Sequence, residues 1–272
     1  MKQLFTILFI LCVCAANAQT RRSMSAKPGE PSIFDKMVDN AQWLCVYDDI
    51  AWQMGNLAGS LSNTEAEKIG REWFVYKDVD SLWHAAFGRF KEGKYNLAQH
   101  YVQDEDGNID VVCASPDSAM LVSFSKSINA AYDHAGKQLG KSYIRFNKFL
   151  RRNADSTISV WLLPAIQPGD LAVYGAEFFY QFDAHGNELV KSNEYYKGSC
   201  KGFKIGKMRD VHLDYIDLPD VTFGSIFFAW RHRNQFSAIY INTSKGSTSL
   251  TFNQQKGYYW VNGPVKLPPP TF

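Results

Sequence analysis

The sequence contains few cysteines, and none of them lies in a paired motif. Its 272 residues include five cysteines, of which Cys12 and Cys14 belong to the apolar N-terminal segment. Cys45, Cys113 and Cys200 remain, and this odd number allows one disulfide and leaves one thiol, with the pairing left open. Because no CxxC pair is present, a zinc ribbon and a thioredoxin-like redox motif are both excluded.

Common catalytic and metal-binding motifs are also missing. The chain has no GxSxG nucleophile elbow and no HExxH zinc motif. The segment DEDGNID (104–110) is similar to a calcium loop only at first sight. Counted from Asp104, Gly107 falls at position 4 instead of 6, and Ser115 stands where the bidentate glutamate belongs. We therefore expect no cofactor, and an ordinary hairpin turn at this segment.

Excess charge of one sign and long apolar runs are scarce as well. The formal net charge is +2, and basic residues cluster only in the short stretches LRRN and WRHRN. Nucleic-acid binding depends on clustered phosphate contacts, so we expect no nucleic-acid partner. Beyond the N-terminal segment, no apolar run approaches the roughly 20 residues that a membrane-crossing helix needs, so we predict no integral membrane span.

The N-terminus has the features of a secretory signal peptide at residues 1–18. A basic residue precedes the apolar run LFTILFILCVC, and ANA provides a small-residue cleavage site. We expect cleavage after Ala18 and export to the periplasm or the extracellular space of a bacterial cell. A lipid anchor on Cys12 or Cys14 is the alternative, but Val13 stands before Cys14, where lipoprotein signals favour a small residue.

The rest of the chain alternates helical and strand-like patterns. A polar leader at 19–32 precedes a helix from Ile33 to about Leu57, with Trp52 among the apolar residues at helical spacing. The segment LSNTEAEKIG then predicts a short helix, with Ser62 as the N-cap and Glu65 three residues on, and four strand-like runs follow it. A further helix begins with Ser115 as the expected N-cap, and another four strand-like runs follow it. The C-terminal runs, including GSIFFAW at 224–230, also suggest strands.

These patterns predict an α+β, antiparallel β-rich fold. We expect two helix-plus-meander units, a C-terminal β segment and a Pro-rich tail, at 33–115, 116–199, 200–262 and 263–272.

The two meanders are similar to each other, which suggests an internal duplication. Without gaps, five pairs match: Tyr95/Tyr174, Tyr101/Tyr180, Asp104/Asp183, Gly107/Gly186 and Asn108/Asn187. A one-residue gap then aligns Ser81/Ser159 and Trp83/Trp161. Turn chemistry is the alternative explanation, because a type I turn favours Asp at its first position and Gly at its last.

Adjacent aromatic residues beside glycines are candidates for a ligand-binding surface. Successive strand residues face opposite sides of a sheet, so one ring of each pair can be exposed to a carbohydrate or a protein partner. The candidates are Tyr195, Tyr196, Tyr258, Tyr259 and Trp260. Packing in the core is the alternative, since aromatic residues are common in strands.

Two functions follow from these observations. The first is a secreted or periplasmic binding or structural protein without catalysis. The alternative is an extracellular hydrolase assembled from distant residues, with His212, Asp214, Glu177 and Cys200 as candidates. His212 and Asp214 would share one face of a strand, so they are also the candidates for a metal site. Alternation places Glu177 with Gly175, Phe179 and Gln181 on a face that can be exposed to solvent.

Overall fold

The computed structural model describes residues 31–265 and confirms an α+β, β-rich fold. The predicted signal peptide, most of the leader and the end of the Pro-rich tail lie outside these residues. The helices of the described part are α1 (Ile33–Ala58), α2 (Asn63–Ala66), α3 (Ser118–Leu139) and α4 (Phe223–Arg231). None of the helices within residues 31–265 is long and apolar enough to cross a membrane.

The strands of the described residues form three four-stranded sheets. Sheet 1 contains β1 (Phe74–Lys77), β2 (Trp83–Lys91), β3 (Lys94–Gln103) and β4 (Ile109–Val111) in sequence order. Sheet 2 contains β5 (Phe146–Arg152), β6 (Ile158–Pro164), β7 (Leu171–Phe182) and β8 (Leu189–Lys204), also in sequence order. Sheet 3 contains β9 (Asp210–Tyr215), β10 (Ala238–Thr243), β11 (Gly246–Asn253) and β12 (Gly257–Gly263) in the order β12-β11-β10-β9. Strand β8 thus continues past the predicted boundary at 199.

The chain divides into two compact units at residues 37 and 38. In the first unit, Ser32 caps the start of α1: its hydroxyl accepts a hydrogen bond from the Asp35 N–H at 3.1 Å, and its own N–H donates to the Asp35 carboxylate at 3.0 Å. The second unit begins at Val38 and contains the rest of α1, the other helices and the three sheets.

The structure corrects two predictions, one about the type of an element and one about the residue that caps a helix. GSIFFAW is not a strand but most of α4, which Thr222 caps by accepting from the Ser225 N–H. A short apolar run fits a buried strand and a buried helix equally well. Here α4 joins β9 to β10, which are parallel and therefore require a crossover. The N-cap of α3 is Asp117 rather than Ser115, because the Asp117 side chain accepts from the Ala119 N–H at 2.9 Å.

The same type of turn closes four hairpins, β1–β2, β3–β4, β5–β6 and β7–β8. In each, the N–H of the fourth turn residue donates to the carbonyl of the first at 2.9–3.1 Å. The fourth residue has a positive φ of 64–87°, which glycine adopts at little cost. These fourth residues are Ser81, Gly107, Ser156 and Gly186. The segment DEDGNID is therefore a hairpin turn, and the same turn occurs at equivalent places in both meanders.

The register of the sheets corrects the gapped part of the internal alignment. Trp83 lies opposite Gln103, just before the β3–β4 turn. In sheet 2 the residue in that place is Ile158, opposite Phe182, whereas Trp161 lies three residues further along. The ungapped pair Tyr101/Tyr180 keeps equivalent positions, three residues before each turn. The duplication itself stays a prediction.

Sheets 1 and 2 meet through their edge strands β1 and β5. The buried hydroxyl of Tyr47 on α1 accepts a hydrogen bond from the Val75 N–H of β1 at 3.0 Å. Burial raises the pKa of this hydroxyl, and the Leu150 backbone of β5 acts to lower it. Helix α3 packs its apolar residues, among them Leu121, Phe124 and Ile128, against both sheets, in one core with Phe74 of β1 and Val160 of β6. Rings of α1 and α4 pack around Phe149 of β5.

Candidate functional site

A cleft of about 460 Å³ lies where α1, the start of β5, the end of β6 and α4 come together. We call it the α1–β5 cleft; its lining includes Trp52, Trp73, Lys148, Ile166, Arg231 and His232. A volume of this size suits a small ligand, and ligand sites combine aromatic walls with a few placed polar groups.

Two indole rings provide the aromatic part of the α1–β5 cleft. Trp52 leaves 71% of its surface exposed although it is large and apolar. It was expected on the apolar side of α1, but the buried stripe of that helix runs through Leu44, Tyr47 and Met54 instead. Trp73 is half-buried, and its ring stacks on Phe87 with 5.0 Å between centroids.

The polar part of the cleft is a network around Asp48. The Asp48 carboxylate contacts the Arg231 Nε at 2.8 Å and accepts from the Asn147 amide at 2.9 Å. Arg231 also contacts Asp49 at 3.0 Å. Burial raises the pKa of Asp48, and the charge of Arg231 acts against this rise. These contacts fix several planar polar groups beside the indole of Trp52.

His232, just after α4, is a neutral imidazole at the wall of the cleft. Burial lowers its pKa to about 4, and its hydrogen bond to Gln235 acts in the opposite direction. His232 Nδ1 lies 2.6 Å from the Gln235 side-chain oxygen. Because an amide oxygen only accepts, Nδ1 carries the proton and Nε2 keeps a lone pair.

Lys148 on β5 also lines this cleft. Its Nζ lies 3.8 Å from the centroid of the Trp73 ring, which therefore sits between this amine and Phe87. Burial lowers the pKa of Lys148 to about 7, while the negative charge of Glu72 acts to raise it. Within residues 31–265, no carboxylate oxygen lies within 4.0 Å of Lys148 Nζ.

The structure places the sequence-predicted residues away from this cleft. Tyr195 and Asp214 line a second cleft of about 270 Å³ beside β8. There Asp214 forms an ion pair with Lys201 at 2.6 Å, which lowers the pKa of the Asp214 carboxyl. His212 is stacked on Tyr240 with centroids 4.8 Å apart. Among the described residues, no group of three or more His, Cys, Asp or Glu side chains is arranged to hold a metal ion.

The other aromatic candidates are dispersed. Tyr196 is half-buried against the core that α3 shares with sheets 1 and 2. Tyr258 lines a third cleft of about 420 Å³, and its hydroxyl lies 2.6 Å from the Asn234 side-chain oxygen. The Lys256 ammonium lies 5.6 Å from the Tyr259 ring, and Trp260 is half-buried on β12.

Glu177 is buried instead of facing solvent. A bulge at Gly175, whose φ is 90°, interrupts the alternation of β7. The Glu177 carboxylate accepts from the Tyr215 hydroxyl and from the Gly224 N–H at the start of α4, the latter at 3.0 Å. Burial raises the pKa of this carboxyl, against the effect of these hydrogen bonds. Glu177 therefore joins β7 to the positive end of α4.

The three cysteines of the described residues are free. Cys45 is buried, Cys113 is exposed, and Cys200 is half-buried. Burial raises the pKa of Cys45 to about 12 and that of Cys200 to about 11. Both thiols are therefore protonated at neutral pH, which is the opposite of what a nucleophile requires.

Comparison of this chain with protein-family models, with curated proteins and with solved structures gives no match. Because a fold does not by itself imply a function, the function has to be inferred from the chemistry of the site.

Proposed function

We propose that this chain is an exported, non-catalytic binding protein that holds a carbohydrate in the α1–β5 cleft. The observation that carries this proposal is the Trp52 indole, 71% exposed, at the wall of a ligand-sized cleft. Such a ring offers an apolar face at little conformational cost, and exposed tryptophans are enriched in binding sites.

The polar groups of the cleft support a ligand with many hydroxyl groups. A sugar presents C–H faces, which suit the two indoles, and hydroxyl edges, which suit carboxylate, amide and guanidinium groups. Asp48, Asn147 and Arg231 supply these groups in positions already fixed by their mutual contacts. Fixed polar groups lose little conformational freedom when a ligand binds, which favours affinity.

The alternative, an extracellular hydrolase, finds less support. Its candidate thiol at Cys200 has a raised pKa, and its candidate carboxylate at Glu177 is already hydrogen-bonded to Tyr215 and Gly224. Catalysis would require a nucleophile and a base within hydrogen-bonding distance of each other. His212 is stacked on Tyr240, and Asp214 is paired with Lys201.

Binding is tested by titrating the purified protein with a panel of soluble mono- and oligosaccharides in a calorimeter. We expect at least one saccharide to bind, and Trp52→Ala to weaken it about tenfold or more, because an aromatic contact contributes roughly 1 kcal/mol or more beyond its burial. Tyr143→Ala is the control, since Tyr143 is 96% exposed and does not line the cleft. Equal affinity in wild type and Trp52→Ala, or no binding at all, would contradict the proposal.

Export is tested by sequencing the N-terminus of the protein isolated from its source. Cleavage after Ala18 would leave Gln19 as the first residue. An intact N-terminus in a cytoplasmic fraction would rule export out.

A further inference from the structure

Lys148 differs from other lysines of the described chain in how its ammonium group is accommodated. Lys197, Lys201 and Lys245 each contact a carboxylate. Lys148 Nζ instead lies 3.8 Å from the ring centroid of Trp73, without a carboxylate oxygen within 4.0 Å among residues 31–265. The fold therefore provides an aromatic face for this nitrogen but no carboxylate in direct contact, and the negative charge of Glu72 acts on it only from a longer distance.

The environment of Lys148 favours the uncharged amine. Desolvation disfavours an ammonium, and it lowers the pKa of Lys148 to about 7. At pH 7 such an amine is about half unprotonated, whereas an ordinary lysine of pKa near 10.4 is unprotonated in only about 1 molecule in 2,500. A lysine that is uncharged at neutral pH is the form that attacks carbonyl groups.

The position of Lys148 would bring its amine close to a ligand bound in the α1–β5 cleft. Its side chain lines the α1–β5 cleft together with the indoles and with the polar network around Asp48. Its nitrogen lies against the Trp73 ring, and that ring is held in place by stacking on the buried Phe87. Holding a nucleophile and its substrate together makes a covalent step effectively intramolecular.

We propose that Lys148 forms an imine with an aldehyde or ketone group of the ligand bound in the α1–β5 cleft. The amine lone pair attacks the carbonyl carbon, so that a C–N bond forms and the carbonyl oxygen takes up a proton. The nitrogen loses one proton to solvent and the new hydroxyl group takes up a second proton. The C–O bond then breaks with release of water while the nitrogen lone pair forms the C=N bond, and loss of the last N–H proton to solvent gives the neutral imine. The step consumes no oxidant or reductant, and hydrolysis reverses it.

This inference rests on the proposed carbohydrate binding and narrows the ligand class. An aldose in its open-chain form combines the two features that the cleft would recognise. Its hydroxyl groups suit the network of Asp48, Asn147 and Arg231, and its aldehyde is the partner for Lys148. A reducing sugar is therefore expected to be captured, and a glycoside with a blocked carbonyl is not.

The test is reductive trapping on the wild-type protein. The protein is incubated with D-glyceraldehyde and cyanoborohydride at pH 7, and modified lysines are located by peptide mass spectrometry. We expect Lys148 to be labelled at least roughly 100-fold faster than Lys191, which is exposed on β8. An amine of pKa about 7 is unprotonated about 1,000-fold more often at pH 7 than an ordinary lysine, and its lower basicity, which makes it a weaker nucleophile, offsets part of this advantage. The rate at Lys148 should level off once the pH rises above about 7, and the preference should vanish in urea.

Two controls separate this inference from the proposed function. Lys148→Arg should lose the fast label, whereas Lys191→Arg should keep it. Labelling of Lys148 no faster than Lys191 in the folded wild type would overturn the imine. Calorimetry with methyl glycosides, which have no free carbonyl, reports on carbohydrate binding alone. Binding of a glycoside without fast labelling would therefore refute the imine and leave the proposed function standing.

Discussion

Lys148 and Glu177 are buried or half-buried ionisable residues that the protein accommodates in opposite ways. Glu177 receives a hydroxyl donor from Tyr215 and the Gly224 N–H at the positive end of α4, so its carboxylate is compensated by neighbours. The Lys148 nitrogen contacts the face of Trp73, and the negative charge of Glu72 acts on it without a direct contact. A buried charge without a partner is expensive, and such uncompensated groups are found preferentially at functional sites.

Replacing Lys148 should therefore increase stability in a pH-dependent way. The pKa of Lys148 falls from 10.5 in the unfolded chain to about 7 in the folded one. Between these values the unfolded state binds more protons, so stability rises with pH; the penalty is complete below pH 7 and disappears above pH 10.5. We expect Lys148→Met to be roughly 1–3 kcal/mol more stable than wild type at pH 6, since each pKa unit is about 1.4 kcal/mol and some cation–π attraction is lost.

Urea denaturation at pH 6 and pH 10 measures this difference. At pH 10 the gain should nearly vanish. Lys191→Met is the matched control, because Lys191 is exposed on β8. A gain of the same size at both pH values would show that the charge of Lys148 costs nothing in the folded state.

Position 224 has room only for a glycine, because the Glu177 carboxylate lies directly against it. A Cβ at this position would overlap the Glu177 carboxyl carbon, whereas a Cβ at Gly136 in α3 would meet nothing within 4 Å. We expect Gly224→Ala to lower the free energy of unfolding by about 2 kcal/mol or more, as overpacking does. Gly136→Ala should raise it by up to about 1 kcal/mol, because alanine favours helix. Equal effects of the two substitutions, measured by urea denaturation, would mean that α4 does not rest on Glu177.

At the scale of elements, the sequence predicts the regular parts of the fold well. The helical periodicity of 33–57 and the capping pair Ser62 and Glu65 correspond to α1 and α2. The apolar run of α4 was assigned to a strand because its type depends on the crossover between β9 and β10, which no local pattern reveals.

The candidate cleft could not be predicted in the same way. Lys148 stands in the run FNKFL, where alternation indicates an ordinary solvent-facing lysine. Its contact with Trp73 joins residues 75 positions apart, and such contacts follow only from the packing of β5 beside β1. No local pattern indicates the cleft, because Trp52 falls at helical spacing with the apolar residues of α1 and only the structure shows that it lies outside the buried stripe.

The two equivalent hairpin turns allow a direct comparison of elements. Gly107 and Gly186 both have positive φ, 87° and 70°. A Cβ at Gly186 would overlap the Ser123 carbonyl oxygen of α3, whereas a Cβ at Gly107 would have its nearest neighbour at 4.0 Å. We expect Gly107→Ala to cost about 1–2 kcal/mol, the strain of a left-handed residue. Gly186→Ala should cost at least about 1 kcal/mol more, because it adds overpacking.

Thermal unfolding of both variants provides the measurement. A larger loss for Gly107→Ala than for Gly186→Ala would contradict the described packing of the second turn on α3. Similar losses would mean that α3 moves to accommodate the new methyl group.

At the scale of the whole second unit, sheets 1 and 2 share one core and meet at one junction. Helix α3 packs on both sheets, and Tyr47 contacts both edge strands, through its hydroxyl at Val75 of β1 and its ring at Phe149 of β5. Trp73 and Lys148 lie just beside that junction, before β1 and within β5. The α1–β5 cleft is therefore a product of how the two meanders meet, rather than of either meander alone.

Removing the Tyr47 hydroxyl tests this junction. Tyr47→Phe leaves the N–H group of Val75 without this acceptor. An unsatisfied buried donor costs about 1–3 kcal/mol, so we expect a loss of that size in urea denaturation. Tyr143→Phe, at a residue 96% exposed, should change stability by less than about 0.5 kcal/mol. A Tyr47→Phe variant as stable as this control would show that the Tyr47 hydroxyl does not hold β1 at the junction.

The most direct test of the α1–β5 cleft is the set of indole N–H signals in a ¹⁵N-correlated NMR spectrum. The chain has seven tryptophans, which can be assigned by substitution. When a saccharide that binds in the calorimeter is added, the signals of Trp52 and Trp73 should shift, and that of Trp260 on β12 should not. Shifts confined to Trp260, or an unchanged spectrum at saturation, would place the ligand elsewhere and contradict the account.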